Sequence, residues 1–238
     1  MIEFRADGWE ASRIPTEFRS FRDEYKERFG SVPETIFTIR LARDGGAWPD
    51  SEAAKRDKIW LALGQAGAEY PSEWIDVELE HIASLSPALV SLIAGKKFKV
   101  LVSHHNFEGS YSKEALARLG RDMLAIGTDG IKLAVTCRTR SEVLNLMHFT
   151  REIAQSRKPA AVLSMGAVGQ AMRLLSPLLG CPWTYGYLSG GAVAPGQFSV
   201  SQMHNIFTKM DVPMLPDLSD SELLDWVEGR LNEELLAN

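Results

Sequence analysis

The residue with the most chemistry to offer in this chain is a lysine in the middle of a buried strand. Gly127-Thr-Asp-Gly-Ile-Lys-Leu-Ala-Val135 reads as a short strand, with Ile131, Leu133 and Val135 on one face and Lys132, Ala134 and Thr136 on the other. If both faces of the sheet are covered, burying an ammonium is costly and a lysine there tends to shed its proton. A neutral lysine amine attacks ketones and aldehydes. A lysine near a strand end can also snorkel to solvent, and this stretch alone leaves both readings open.

Imine chemistry needs a proton-moving group beside the amine. His105 follows the preceding strand, Phe98-Lys-Val-Leu-Val-Ser103, and can supply it. Read singly, a histidine after a strand is as readily a structural or metal-binding group. The order histidine, then lysine, on successive strands is what makes the pair informative. Arg173 stands in a helix that begins after a turn rich in glycine (Gly166, Gly169). Such an arginine makes either a surface ion pair or a carboxylate or phosphate site. His81, His148 and His204 read as structural or solvated, and His104 as packing on the face opposite His105. His104, His105 and Asp76 lack a zinc-ligand spacing. Trp48, Trp60, Trp74 and Trp183 read as packing residues.

These side chains have to be positioned by a scaffold. Strand-like alternation covers 2–7, 35–41, 74–79, 98–103, the Lys132 stretch, 160–164 and 183–188. Helical patterns cover about 15–30, 51–67, 87–97, 111–126, 142–156, 169–180, 199–210 and 219–235. The strand-then-helix unit repeats about seven times with short connections and no linker-like break, so one domain over 1–238 is expected. A (β/α)8 barrel or a doubly wound sheet would fit. Polar residues in or at the ends of nearly every strand favour the barrel: Glu3, Arg5, Arg40, Asp76, His105, Lys132 and Ser164. No G-x-G-x-x-G follows the first strand, as a Rossmann fold would want.

Composition sets the bounds. The 238 residues are 45% hydrophobic and 24% charged, an ordinary soluble balance. The net charge of -5 argues against nucleic acid as a partner, while a local arginine can still hold an anionic substrate. Cys137 and Cys181 make no disulfide framework, which fits a reducing cytoplasm. No apolar run approaches the roughly 20 residues of a membrane span. Met1-Ile-Glu-Phe-Arg5 is not a signal peptide.

Several stretches, in order, resemble the type I 3-dehydroquinate dehydratases. Glu3-Phe-Arg-Ala-Asp7 resembles the family's Glu-x-Arg-x-Asp strand, and Phe37-Thr-Ile-Arg40 with Asp44-Gly45-Gly46 its Phe-Thr-x-Arg strand and acidic Gly-Gly turn. Ile75-Asp-Val-Glu-Leu79 and Ser103-His-His-Asn-Phe107 resemble two further strands, the second marking His105 rather than His104 as catalytic. Gly127–Ala134, Ser164-Met-Gly-Ala-Val-Gly-Gln-Ala-Met-Arg173 and Ala194-Pro-Gly-Gln197 complete the set.

The resemblance implies a TIM barrel in which Lys132 forms a Schiff base with 3-dehydroquinate and His105 moves the protons. It implies that Asp44 orients His105, that Arg173 and Gln197 hold the substrate carboxylate and hydroxyls, and that Glu3, Arg5 and Arg40 bind its hydroxyl face. No metal or organic cofactor is needed, and a homodimer is implied. The chain departs from the pattern in three ways. The family's first strand and helix have no counterpart before Ile2, so the barrel is expected to lack its first β/α unit. Asp44 replaces a glutamate. Val193 stands where a serine helps hold the carboxylate end, and Ala171-Met172 likewise lack a hydroxyl. These departures leave another lysine-imine lyase or aldolase, or a non-catalytic relative, as alternatives.

Overall fold

The computed structural model describes residues 1–65, 74–188, 191–192, 194–209 and 218–236. It divides into two compact units, Met1–His104 with Thr128–Gly130, and His105–Gly127 with Ile131–Asn238.

In the first unit the strands β1 (Ile2–Arg5), β2 (Thr35–Thr38), β3 (Trp74–Glu78) and β4 (Lys99–Asn106, entered from this unit) lie side by side in sequence order, all parallel. Helices α1 (Ile14–Phe29), α2 (Ala53–Gln65) and α3 (Pro87–Ala94) connect them. β2 and β3 are buried along their whole length, as parallel strands covered on both faces must be. An aromatic core sits beneath β1. Phe4 stacks on Phe37 at 5.8 Å and meets Phe18 edge-on at 5.1 Å. After β2 the chain turns sharply at Gly45-Gly46. A Cβ on Gly46 would lie 2.0 Å from the main-chain oxygen of Arg40, so only glycine lets the turn close there.

The second unit holds β5 (Gly130–Thr136) and β6 (Ala160–Met165), a parallel pair in the register Lys132↔Ala161 and Ala134↔Leu163. Helices α4 (Lys113–Ala125), α5 (Arg140–Ala154), α6 (Met172–Leu178), α7 (Val200–Lys209) and α8 (Asp220–Leu236) complete it. Ser112 caps α4, and Thr139 with Glu142 forms a full capping box on α5. α8 packs against α5, α6 and α7 through Leu223, Leu224 and Val227. Arg140 bonds Asp225 and Glu228 across the α5–α8 seam, and Arg151 bonds Asp220.

Some expected elements are corrected. Trp183–Leu188 is not a regular strand. Its main chain links Trp183 N–H to the Ala160 oxygen, and Tyr187 exchanges bonds with Phe198 and Val200 around an isolated bridge to Ser199. Strand-forming residues are present, but no ladder forms for them to join. β1 and β2 are shorter than the alternation suggests. α4 starts at Lys113 because Ser112 caps it, and α6 is one short helix starting at Met172. The ends of the expected 51–67 and 199–210 helices lie outside the described residues. His104 is not simply packed, since its Nδ1 pairs with Glu80.

Candidate active site

Lys132 lies on the middle of β5, 6% exposed, with alanine as its β6 neighbour. Its Nζ sits 4.2 Å from the centre of the Tyr185 ring. That ring and Trp183 pack against Ala134, Ala161 and Leu163, so the small residues of β5 and β6 make the floor on which the two aromatics lie. The lysine is thus enclosed, the buried one of the two readings its strand left open.

Arg173, the second residue of α6, is 2% exposed. It donates to the main-chain oxygens of Tyr185 and Pro195, both at 3.5 Å, and its Nε has no hydrogen-bond partner among the described residues. Burial pushes the guanidinium down to about 10, well below the ordinary arginine value. At neutral pH it remains a cation, with no carboxylate paired to it among the described residues. Buried charges are normally paired, and an arginine fork suits a carboxylate, so this is a ready anion site. The turn before α6 is tight. A Cβ on Gly169 would lie 1.8 Å from Ser164 Oγ, and that hydroxyl is occupied in accepting the Cys137 N–H.

His105 is half-buried at the end of β4, its ring nearly parallel to Phe107 with centres 6.4 Å apart. Gln197 closes the Ala194–Gln197 turn with its N–H on the Ala194 oxygen, and Gly166 N–H reaches the Pro195 oxygen. Lys132, His105, Arg173 and Gln197 all belong to the second unit. Val193 lies outside the described residues.

Glu3, Arg5, Arg40 and Asp44 belong to the first unit. Glu3 accepts from Thr38 Oγ1 at 2.8 Å. Arg5 grips Asp7 with two bonds, at 2.8 and 3.0 Å. Burial alone would raise Asp7, but the bonds and charge of Arg5 and the Ala47 N–H outweigh it and hold the carboxyl low. Arg40 is 2% exposed, and Asp76, Glu78 Oε1 at 3.1 Å and Ser103 Oγ at 2.7 Å all accept from it. Burial would lower it, but Asp76 and Glu78 hold it above the ordinary arginine value. Asp44 ends a short 3-10 turn, 8% exposed and 3.4 Å from Arg43 Nε. Burial, then the charge of Glu78, push its carboxyl up, with Arg40 opposing.

Residues 1–213 match the family model described as type I 3-dehydroquinase. This chain belongs to that family. A 3-dehydroquinate dehydratase of Listeria innocua is 28% identical over 210 residues, 87% of this chain and 80% of the relative. The crystal structure of 3-dehydroquinate dehydratase from Geobacillus kaustophilus superimposes with a TM-score of 0.75 at 25% identity, covering 88% of this chain and 80% of that one. A type I 3-dehydroquinate dehydratase from Clostridium difficile, solved with covalently modified comenic acid, gives 0.71 at 28% identity over 88% and 82%. The fold is the α/β fold with parallel strands seen in these relatives. α8 lies wholly beyond the matched stretch.

Sequence reasoning did not find Tyr185, which touches both Lys132 and Arg173. Nor did it find Arg56 and Glu78, whose carboxylate joins Arg56 to Arg40. Two acidic residues on one strand, Asp76 and Glu78, signalled a buried charge network, since β3 is covered throughout.

Proposed function

We propose that this chain is a 3-dehydroquinate dehydratase, a lyase of the shikimate pathway that works through an imine on Lys132. Its relatives carry that name, and a Schiff-base mechanism is typical of the family. The observation that carries the reading is local: an enclosed lysine amine and a buried guanidinium, with no carboxylate partner among the described residues, meet on one residue, Tyr185. An amine and an anion site held together suit a keto acid.

The chemistry follows from these groups. The Lys132 amine adds to the ketone, and the carbinolamine loses water to give an iminium. The positive nitrogen draws electrons from the neighbouring C–H bond, whose proton His105 takes. The enamine then expels the hydroxyl as His105 returns the proton, and water releases 3-dehydroshikimate from the imine. The remaining roles are carried over from the family's motifs: Arg173 and Gln197 for the substrate carboxylate and hydroxyls, Glu3, Arg5 and Arg40 for hydroxyls, and Asp44 as the acid that orients the catalytic histidine. Val193 cannot donate the hydrogen bond of the serine usual in the family, a loss on the order of 1–3 kcal/mol. Residues 1–238 belong to one (β/α) barrel domain, and the chain works as a homodimer in the cytoplasm. The buried, free thiols of Cys137 and Cys181 agree with a reducing compartment. No helix among the described residues is long and apolar enough to cross a membrane.

Borohydride reduction in the presence of 3-dehydroquinate tests the reading. A stable adduct on Lys132, located by peptide mass spectrometry, together with a conjugated enone product, is expected. The valine at 193 and the shorter acid at 44 favour one second reading, a lysine-imine lyase for another keto acid. An adduct formed only with other keto acids would establish it. A folded sample that forms no adduct with any ketone would overturn both.

A further inference from the structure

We propose that Tyr185 is the electrostatic seat of the imine: the face of its ring stabilises the positive nitrogen on Lys132, while its main-chain oxygen sets the position of Arg173. This rests on the Schiff-base reading above and deepens it, by assigning the residue that makes the lysine an electron sink.

The geometry comes first. A cation within about 6 Å of a ring centre is attracted by the negative face of the π-system, most strongly where water is excluded. Lys132 Nζ is 4.2 Å from the centre and its side chain is almost wholly enclosed. The ring cannot easily leave. It rests with Trp183 on Ala134, Ala161 and Leu163. The main chain on either side is tied down, by Trp183 N–H to the Ala160 oxygen at 3.1 Å and Thr184 Oγ1 to the Arg173 oxygen at 2.6 Å. Alanine at 161, paired with Lys132 in the sheet, leaves room for an aromatic that a larger neighbour would displace.

The chemistry then decides what the ring is for. The nitrogen is neutral in the amine that attacks and in the carbinolamine. Once the carbinolamine hydroxyl leaves with a proton as water, the nitrogen keeps its own hydrogen and carries the positive charge of the iminium. Only this charged form draws electrons from the neighbouring C–H bond. A ring that attracts the charged nitrogen more than the neutral one therefore acts on the chemical steps rather than on substrate capture, which is where binding energy raises kcat. Substrate capture falls to Arg173. Its contact with residue 185 runs through the main-chain oxygen and is kept whatever side chain stands there.

The test is a series at position 185 in the full chain. Tyr185→Phe keeps the ring. Phenylalanines carrying one, two and three fluorines keep its shape while draining its negative face. Tyr185→Leu removes it. Folding is checked by circular dichroism. The readouts are kcat, KM for 3-dehydroquinate, and the amount of borohydride-trapped adduct on Lys132. The expected result is a stepwise fall in kcat and adduct with each fluorine, reaching roughly 3- to 30-fold between Phe and the trifluorinated ring. Tyr185→Leu should fall at least as far, Tyr185→Phe should recover the adduct lost in Tyr185→Leu, and KM should stay nearly constant across the series. Flat kcat across the fluorinated rings, in a protein whose wild type forms the adduct and turns over, overturns this proposal and leaves the dehydratase reading intact. A fall confined to KM also overturns it. No adduct in the wild type overturns both.

Discussion

Arg173 holds its positive charge where no described carboxylate reaches it. Its folded value of about 10 lies below that of an exposed arginine, so the charged form is disfavoured by folding. The sign follows. The penalty is in force at every pH below about 10 and fades only as pH rises through that value. Its size is on the order of 3 kcal/mol. Arg173→Met, of similar length and without charge, is expected to raise the melting temperature of the unliganded protein. It should also abolish the stabilisation that 3-dehydroquinate gives the wild type and raise KM. Thermal melts with and without substrate read this out, and a lower unliganded melting temperature would count against it. At the reacting centre, Lys132→Ala should form no borohydride adduct. His105→Ala should still form one, while losing roughly 10²- to 10⁴-fold in kcat, because the amine is intact and the proton shuttle is gone.

Helix α2 shows how an element can be legible while its purpose is hidden. Its start and helical pattern are plain in the sequence, with Ile59 and Leu63 one turn apart on the same side. The buried face is a wider stripe, Arg56, Asp57, Ile59, Trp60, Leu63 and Gly64. Its spacing is helical, but two charged residues occupy it, so a search for apolar periodicity passes over them. Arg56 Nη1 reaches Glu78 and the Ile39 oxygen, and its guanidinium lies 4.5 Å over Trp60. Removing Arg56 leaves buried Glu78 Oε2 without its partner, although Oε1 keeps Arg40. Arg56→Leu should therefore cost about 3–5 kcal/mol in a denaturant titration, far more than a surface arginine. By contrast β3, β5, β6 and α5 were readable because burial and capping follow local rules. The contacts of Tyr185 were not, because they join segments far apart in sequence. At the edge of this unit, Arg5 and Ala47 hold Asp7 below its ordinary value of 3.8. Stability from that carboxylate is full above about pH 4 and is lost as pH falls through its lowered value. Asp7→Asn should flatten the acid arm of the stability-against-pH curve.

At the scale of the chain, the family match stops at residue 213, yet Asp220–Leu236 is a packed helix and not an ornament. Two kinds of contact hold it, and their magnitudes differ. The Arg140 bonds to Asp225 and Glu228 are exposed, and such pairs contribute about 0–1 kcal/mol. Leu224 is fully buried, and a buried leucine cut to alanine costs about 2–5 kcal/mol. Leu224→Ala should thus lower the melting temperature clearly, and Arg140→Ala should barely move it. A further consequence follows from the aromatic floor beside Lys132. Trp183 packs on the same cluster of Ala134, Ala161 and Leu163 as Tyr185, whose ring faces Lys132 Nζ. The chain therefore carries its own optical reporter. Mixing enzyme with substrate in a stopped-flow fluorimeter should show a change in indole emission as the imine forms, and Trp183→Phe should erase that signal while the other five tryptophans still glow.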